Sequence, residues 1–587
     1  MTQTSPYSLR APTPIQLRLS FCEPTPRDLK RWIAGLPKAN IGETARQLYQ
    51  GLGELNQLLT PSDNRLQLLE LLRPEVYYVC QHLERHFLHQ AIVLDERSRK
   101  IANLCQALQS QLAIGYKQIV LRVGPRFSKD RAALLTLALQ RASHSLKGPL
   151  VRATQLYCPP PEGLWRELHQ LYRIGCEHHL QQRVVRDDLA SLAGELSLEQ
   201  TYIAALLLGT ARCSQLRQNQ IARLAEVLEP WSTWLTLRPS TDSLFAVLPE
   251  LDAAPRYRKL FRADQPAPLL AFDPQPLVAA IEAHLQRTTT GAPLPVPAGL
   301  SLDTLQHLHA AWGQSAERSF QRTVGQGSLT LCVGMSALHF YLGGEQPFSE
   351  MLKHPGTRAA DFSAELRKNP QDGWSHAFDA APDSKGDQWL PYEEIQYEQL
   401  QGDEDDTTLN PPHYPTYALP VINHSPGGYC LAWPKDVPPE LQAGEMVGIQ
   451  DSTHQGWSIA VVRWIRQVRG GGTQMGIELV APHAEPCGLQ LVRNQDGHSQ
   501  YLRGLLLPEI SAVDLPPTLL APRLPFQEGQ KVMINTHGNE RRAGLDRRVS
   551  STHSFNQFAY RALDTGRNDN AAKSGAEEEF DSLWASL

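Results

Sequence analysis

Near residue 300 the amino-acid pattern changes character, and no single architecture accommodates both sides of that change. From about 28 to 290 the apolar residues recur every three or four positions. In ETARQLYQGLGELNQLL, residues Ala45, Leu48, Leu52, Leu55 and Leu58 make one stripe, the signature of an amphipathic helix. Asn40-Ile-Gly-Glu43 just ahead of it has capping-box spacing. The next run, RLQLLELLRPEVYYVCQHLERHFL, has Ser62 and Asp63 as candidate caps and Pro74 placed to kink or split it. Further leucine-rich runs at 98–119, 131–147, 162–183, 186–228 and 275–287 extend the helical pattern. One earlier piece, Pro14-Ile-Gln-Leu-Arg-Leu-Ser-Phe21, alternates as a strand does.

After about 315 the runs become short and β-rich: Ser328–Val333, Tyr429–Trp433, Met446–Gln450, Trp457–Arg466 and Met475–Val480. Three glycines, 470–472, lie between the last two, a hairpin signal. A polar stretch over 345–415 interrupts the series, with nine acids and one lysine between Asp383 and Asp406, a composition that predicts mobility. A further β-like unit covers about 486–565, and a polar tail follows.

A chain of 587 residues exceeds what one core supports. Its 56 Lys+Arg against 61 Asp+Glu give a net charge of −5, which excludes a general nucleic-acid or membrane coating, so neither DNA nor RNA is expected as a partner. The first 300 residues nonetheless carry a surplus of cations and the remainder a surplus of acids. No apolar run is long enough for a transmembrane segment, and the N-terminal residues lack a signal peptide's apolar stretch. Nine scattered cysteines without a C-x-x-C pair read as reduced thiols of a cytoplasmic protein. Cys176-Glu-His178-His179 superficially suggests a metal site, but adjacent histidines on a helix point apart, and no metal or cofactor is expected. No G-x-S-x-G, H-E-x-x-H or Walker pattern occurs, so the chain is not expected to be an enzyme.

Two short patterns remain. Arg318-Ser-Phe-Gln-Arg322 precedes the strand at 328, and Asn423-His-Ser425-Pro-Gly-Gly428 leads into the strand YCLAW. With GWSIAVVRWIRQ–GGG–TQMGIELV downstream, they resemble the PilZ family of cyclic di-GMP-binding β-barrels, whose signature is R-x-x-x-R followed by [D/N]-x-S-x-x-G. The resemblance covers about 315–345 and 415–485. Joined to the helical pattern before it, the resemblance gives an expected multidomain α + β protein: an all-α helical domain over 1–300 with a short N-terminal strand, then a PilZ-like antiparallel β-barrel over 315–485 with an acidic insertion at about 345–415. A second small β-rich unit over 486–565 and a flexible tail over 566–587 complete the expectation.

The implied ligand, cyclic di-GMP, suits these residues. Arg318 and Arg322 can fork onto phosphate oxygens or guanine O6/N7, and Asn423 and Ser425 can exchange hydrogen bonds with base or sugar. Gly428 would admit ligand close to the backbone, and Arg463, alternating outward on its strand, could reach phosphate. Trp433, Trp457 and Trp464 read as barrel core. Arg322 and Asn423 are 101 positions apart, farther than the family's usual few tens, which the insertion explains. A degenerate alternative to the second motif, Val333-Gly-Met-Ser-Ala-Leu-His339, lies nearer the arginines but lacks the leading Asp/Asn and the final Gly.

In the tail, Phe580, Leu583, Trp584 and Leu587 have i, i+3, i+4, i+7 spacing behind three glutamates, the pattern of a peptide that folds into a groove on a partner or on this chain. The reading is a cyclic di-GMP receptor of bacterial motility or biofilm signalling. In it, ligand draws the arginine segment onto the 423–428 turn and reorients the barrel against a helical interaction domain, which with the tail would meet an unknown protein partner. The alternative is a PilZ-like scaffold acting through protein–protein contacts without nucleotide.

Overall fold

The computed structural model describes residues 7–190, 194–238, 243–261, 270–287, 294–314, 321–352, 414–434, 437–451, 456–470, 472–492, 499–509 and 516–563. The chain divides into two compact units, one of 1–334, 416–483 and 550–555, the other of 335–415, 484–549 and 556–587.

The first unit begins with helices α1 (Pro26–Ala34), α2 (Ile41–Gln57), α3 (Ser62–Glu84), α4 (Glu96–Val123), α5 (Ala132–Gln155), α6 (Leu164–Glu177), α7 (Leu198–Thr210), α8 (Gln218–Trp231), α9 (Gln275–Leu285) and α10 (Leu302–Gly313). Polar side chains set several starts. Asn40 accepts from the Glu43 N–H ahead of α2, Asp95 from Ser98 ahead of α4, and Ser197 with Gln200 closes a capping box at α7. The α2 stripe Ala45, Leu48, Leu52 and Leu55, with Leu58 just beyond, is fully in the core.

Sequence and structure part company at four places in this region. Helix α3 starts behind Pro61 with no side-chain cap, and it runs through Pro74 unbroken. The neighbouring Arg73 forks onto the fully buried Asp187 at 2.7 and 2.9 Å, so tertiary contacts hold the turn from which proline removes one hydrogen bond. Residues 14–21 form no strand. Ile15 and Gln16 both donate to the Gln57 carbonyl, and Gln16 alone bridges to Leu58, because the end of α2 offers only a few free groups and no extended edge. Within the run read as helical over 186–228, Glu195–Ser197 pairs with Val184–Arg186 as a small hairpin. Phe245–Val247 lies between Arg256–Tyr257 and Leu270–Phe272 in a three-stranded antiparallel sheet.

A barrel follows in the same unit: β1 (Thr323–Val324), β2 (Ser328–Val333), β3 (Thr416–Ser425), β4 (Gly428–Trp433), β5 (Met446–Gln450), β6 (Ser458–Val468) and β7 (Gly472–Ala481). The antiparallel order β3-β2-β5-β6-β7-β4 is closed by pairing of β4 with β3, and β1 adds to β3 beyond β2. Buried Leu329, Leu331, Leu419, Leu431, Trp433 and Ile477 belong to the same hydrophobic cluster as the helical core from Leu9 onward. Polar contacts fasten the two parts as well. The Gln467 N–H donates to the Tyr157 carbonyl at 2.7 Å, its amide to Ile92 at 2.8 Å, and Arg217 Nε to the Ala443 carbonyl at 3.1 Å. The expected reorientation of barrel against helices would tear this shared core, so in this unit they are one packed body.

The second unit is described by itself. Helices α11 (Met335–Leu342) and α12 (Phe348–Leu352) accompany a closed barrel of β8 (Glu485–Leu491), β9 (Leu502–Leu507), β10 (Thr518–Pro522), β11 (Lys531–Thr536), β12 (Asn539–Ser551) and β13 (Phe555–Ala562), in the order β8-β9-β10-β13-β12-β11. Its core is built on Leu489, Leu519, Phe526, Ile534 and Phe558. The degenerate motif Val333–His339 supplies the end of β2, a Gly334 turn at φ +90° and the start of α11, where buried His339 bonds the Cys487 carbonyl. None of its residues lines the cleft of the first barrel described below.

Candidate functional site

The ladder that carries Arg322 is two residues long. Thr323 pairs with His424 and Val324 with Asn423, while Ser328–Cys332 pairs with Thr416–Pro420 on the same edge of β3. Gly325-Gln-Gly327 joins the two stretches. The Gly325 N–H donates to the Ile422 carbonyl at 3.0 Å and the Val421 N–H to the Gly327 carbonyl at 3.1 Å. Continued by one position, that register sets Arg322 beside Ser425. A separation of 101 residues in sequence thus becomes adjacency on one sheet edge.

Around this point lies a cleft of about 370 Å³ lined by Arg322, Asn423, Ser425, Gly427, Gly428, Tyr429, Arg463, Trp464, Gly476, Ile477, Glu478 and Leu479. Five of the six nucleotide-site residues named from sequence (Arg322, Asn423, Ser425, Gly428 and Arg463) face it. The sixth, Arg318, lies outside the described residues, as do Phe580, Leu583, Trp584, Leu587 and the acidic stretch 353–413.

Each lining group has a structural cause. Pro426 and Gly427 make the two-residue turn between β3 and β4, and the Gly427 carbonyl accepts from the Leu479 N–H at 3.0 Å, which pins the turn to β7. Ser425 Oγ reaches the Gly428 carbonyl at 3.4 Å. The carboxamide oxygen of Asn423 is buried and has no hydrogen-bond partner among the described residues. A buried acceptor left unpaired costs roughly 1–3 kcal/mol. Gly428 also has a packing role. A Cβ there would come within 2.0 Å of the Ile477 carbonyl, so glycine is required for the approach of β7.

The floor depends on a bulge. Opposite β7, Val462 pairs with Ile477 and Trp464 with Gly476, leaving Arg463 as the extra residue. A bulge of this kind interrupts alternation and re-aims side chains. Arg463 and Trp464 consequently both leave the core, whereas Trp433 stays buried and donates to Met475 Sδ at 3.2 Å. The indole of Trp464 covers Gly476, whose Cβ would fall 2.0 Å from Nε1, and the Arg466 guanidinium sits 5.1 Å from the Trp464 ring centroid. Arg463 Nε meets Glu478 Oε2 at 2.5 Å. The combination of two arginines, an aromatic side chain and amide and hydroxyl groups suits a flat, anionic, hydrogen-bonding ligand.

Sequence reading had placed Trp464 in the core and had passed over Tyr429, Gly476 and Glu478. Alternation after an outward Arg463 gives Trp464 as inward, and no feature of the sequence marks the bulge that turns it out.

Family models match the whole described architecture in order. Residues 27–241 match the N-terminal domain of the Cyclic-di-GMP receptor FimW, 244–486 its middle PilZ domain and 487–563 its C-terminal β-barrel domain. A curated protein of Pseudomonas aeruginosa, Cyclic-di-GMP receptor FimW, is 56% identical over 614 aligned positions that span 100% of both chains. The chain belongs to the FimW family. No solved structure matches it. The PilZ resemblance drawn from the two short motifs therefore holds, and the FimW middle-domain match encloses every residue of the cleft. It begins at 244, so it takes in the small sheet and α9–α10 as well as the barrel.

Proposed function

We propose that this chain is a cyclic di-GMP receptor that acts by binding and not by catalysis, with Arg318, Arg322, Asn423, Ser425 and Arg463 as ligand contacts around the cleft at the β3–β4 turn. The observation that carries the reading is the juxtaposition of Arg322 with the 423–428 turn, around a buried Asn423 oxygen that has no partner. Gly428 serves as a packing element of that site. Ligand phosphates engage the arginines, and Asn423 and Ser425 exchange hydrogen bonds with base or sugar. The name of the 56%-identical relative supports the same ligand. The scattered free thiols support a cytoplasmic location, and among the described residues no helix is long and apolar enough to cross a membrane. The PilZ resemblance supports a place in bacterial motility or biofilm signalling.

Helices and barrel share one core, so ligand bound at the cleft is read by a protein partner at the helical region or the 580–587 peptide. Calorimetric titration of cyclic di-GMP into the full chain and into Arg322→Ala tests this. A charged contact contributes roughly 1.5–3 kcal/mol, so affinity should fall about ten- to a hundred-fold. Equal affinity removes Arg322 from the site, and absence of binding to the wild type leaves the scaffold reading.

A further inference from the structure

Glu478 is the one acid among the described residues lining the cleft. An acid there is costly for a ligand carrying two phosphates, because like charges repel. Its ion pair with Arg463 does not account for it, since both side chains are about half exposed, at 51% and 48%, and a pair so solvated adds little to stability.

Its position is informative. In the ladder between β7 and β4, Glu478 lies directly opposite Gly428, and directly paired residues share a face of the sheet. The Cβ position of Gly428 is taken by the β7 backbone, so no side chain from β4 stands beside the Glu478 carboxylate, which is itself about half exposed at the turn. On the neighbouring β6, the bulge at Arg463 brings the partly buried Trp464 to the same cleft. A carboxylate is an acceptor-only group with two oxygens. Guanine presents two adjacent donors, N1–H and the N2 amino group, whereas adenine presents an acceptor at N1 and no amino group at C2. Proteins read an unstacked base by hydrogen bonds to this edge and by stacking on aromatic side chains.

We propose that Glu478 is the guanine-selecting residue of the cleft. On ligand entry its carboxylate exchanges Arg463 for guanine N1–H and N2–H, the base stacks at Trp464, and Arg463 is released toward a phosphate. The exchange is conservative in charge: one ion pair is replaced by a bidentate hydrogen bond and a new arginine–phosphate contact. The inference rests on the cyclic di-GMP reading above and names the base recognition within it.

The test compares three ligands, cyclic di-GMP, its inosine analogue cyclic di-IMP (which lacks only the N2 amino groups) and cyclic di-AMP, on the full-length wild type and on Glu478→Gln. A bidentate base contact discriminates by about ten- to a hundred-fold. The wild type should prefer cyclic di-GMP to cyclic di-IMP by that factor and bind cyclic di-AMP more weakly still. In Glu478→Gln, whose amide offers one acceptor instead of two, the cyclic di-GMP affinity should fall about ten-fold and the preference over cyclic di-IMP should shrink to within roughly three-fold. Glu478→Asp, which keeps both oxygens, should retain part of the preference. Cyclic di-GMP binding with unchanged or improved affinity in Glu478→Gln would make the acid a mere competitor for Arg463 and overturn the assignment alone. Failure of the wild type to bind any of the three would overturn the cyclic di-GMP reading itself, and the assignment with it.

Discussion

Replacing Gly325 by alanine should weaken nucleotide binding as much as removing the Arg322 side chain, although Gly325 does not line the cleft. A Cβ at 325 would fall 2.4 Å from Val421 Cγ1 and 2.8 Å from the Val421 carbonyl oxygen. The methyl could rotate away, but the carbonyl belongs to the β3 backbone and cannot. The clash is relieved most cheaply by lifting Thr323–Val324 off Asn423–His424, since that ladder holds only two residue pairs and both its β1 residues are exposed. Arg322 would then lose its place beside the turn. The loss equals one charged contact, about 1.5–3 kcal/mol, or ten- to a hundred-fold in Kd. Because the two changes act through one contact, they should not add: the double variant Gly325→Ala/Arg322→Ala should bind within about two-fold of the weaker single. Titration calorimetry on all four proteins gives the cycle, with circular dichroism confirming that the barrel survives loss of an edge pair. Wild-type affinity in Gly325→Ala alongside a weakened Arg322→Ala would refute the ladder as the device that places the arginine. Fully additive losses would refute the shared contact.

Trp464→Ala should cost about ten-fold in cyclic di-GMP affinity, since stacking of a base on an aromatic ring contributes roughly 1–3 kcal/mol, and Trp464→Phe should recover part of it in the same titration. Asp187→Asn should destabilise the helical region by about 3–5 kcal/mol, read as a lower urea midpoint, because the buried Arg73 loses its charged partner and Arg141 keeps only Glu70. Acid should destabilise the same region in two stages. Burial drives the His169 pKa down to about 4, so the unfolded chain takes up that proton first and stability falls as pH drops from about 6.5 toward 4. Burial opposes the charged form of Asp187, but the Arg73 hydrogen bonds and the charges of Arg73 and Arg141 outweigh it and hold the carboxyl well below its usual range. That contribution is present above about pH 4 and is lost below it. Urea midpoints at pH 7, 5 and 3.5 should decline in order, with a shallower first step in His169→Gln; a flat profile would count against both groups.

Much of the architecture could be read directly from the amino-acid order. Leucines three and four apart announced the helices, Asn40 announced a cap, and short alternating runs announced barrel strands, because each of these depends on neighbours within a turn or a hairpin. Two motifs likewise sufficed for the family, since a nucleotide signature is a local arrangement of donors. Pro74 shows the limit: by propensity it ends a helix, yet the surrounding fold carries α3 across it.

What the sequence left open were the relations between distant segments. Nothing in the linear order puts Arg322 beside Ser425, makes Gly428 a packing requirement of β7, or turns Trp464 outward. Those outcomes follow from a two-residue ladder, a carbonyl 2.0 Å from an absent Cβ, and a bulge at Arg463. Local pattern determines which elements form, through short-range sterics and hydrogen bonding. Register, bulges and backbone approach are fixed only when strands far apart in the chain pack together, and on this protein those are the features that build the cleft.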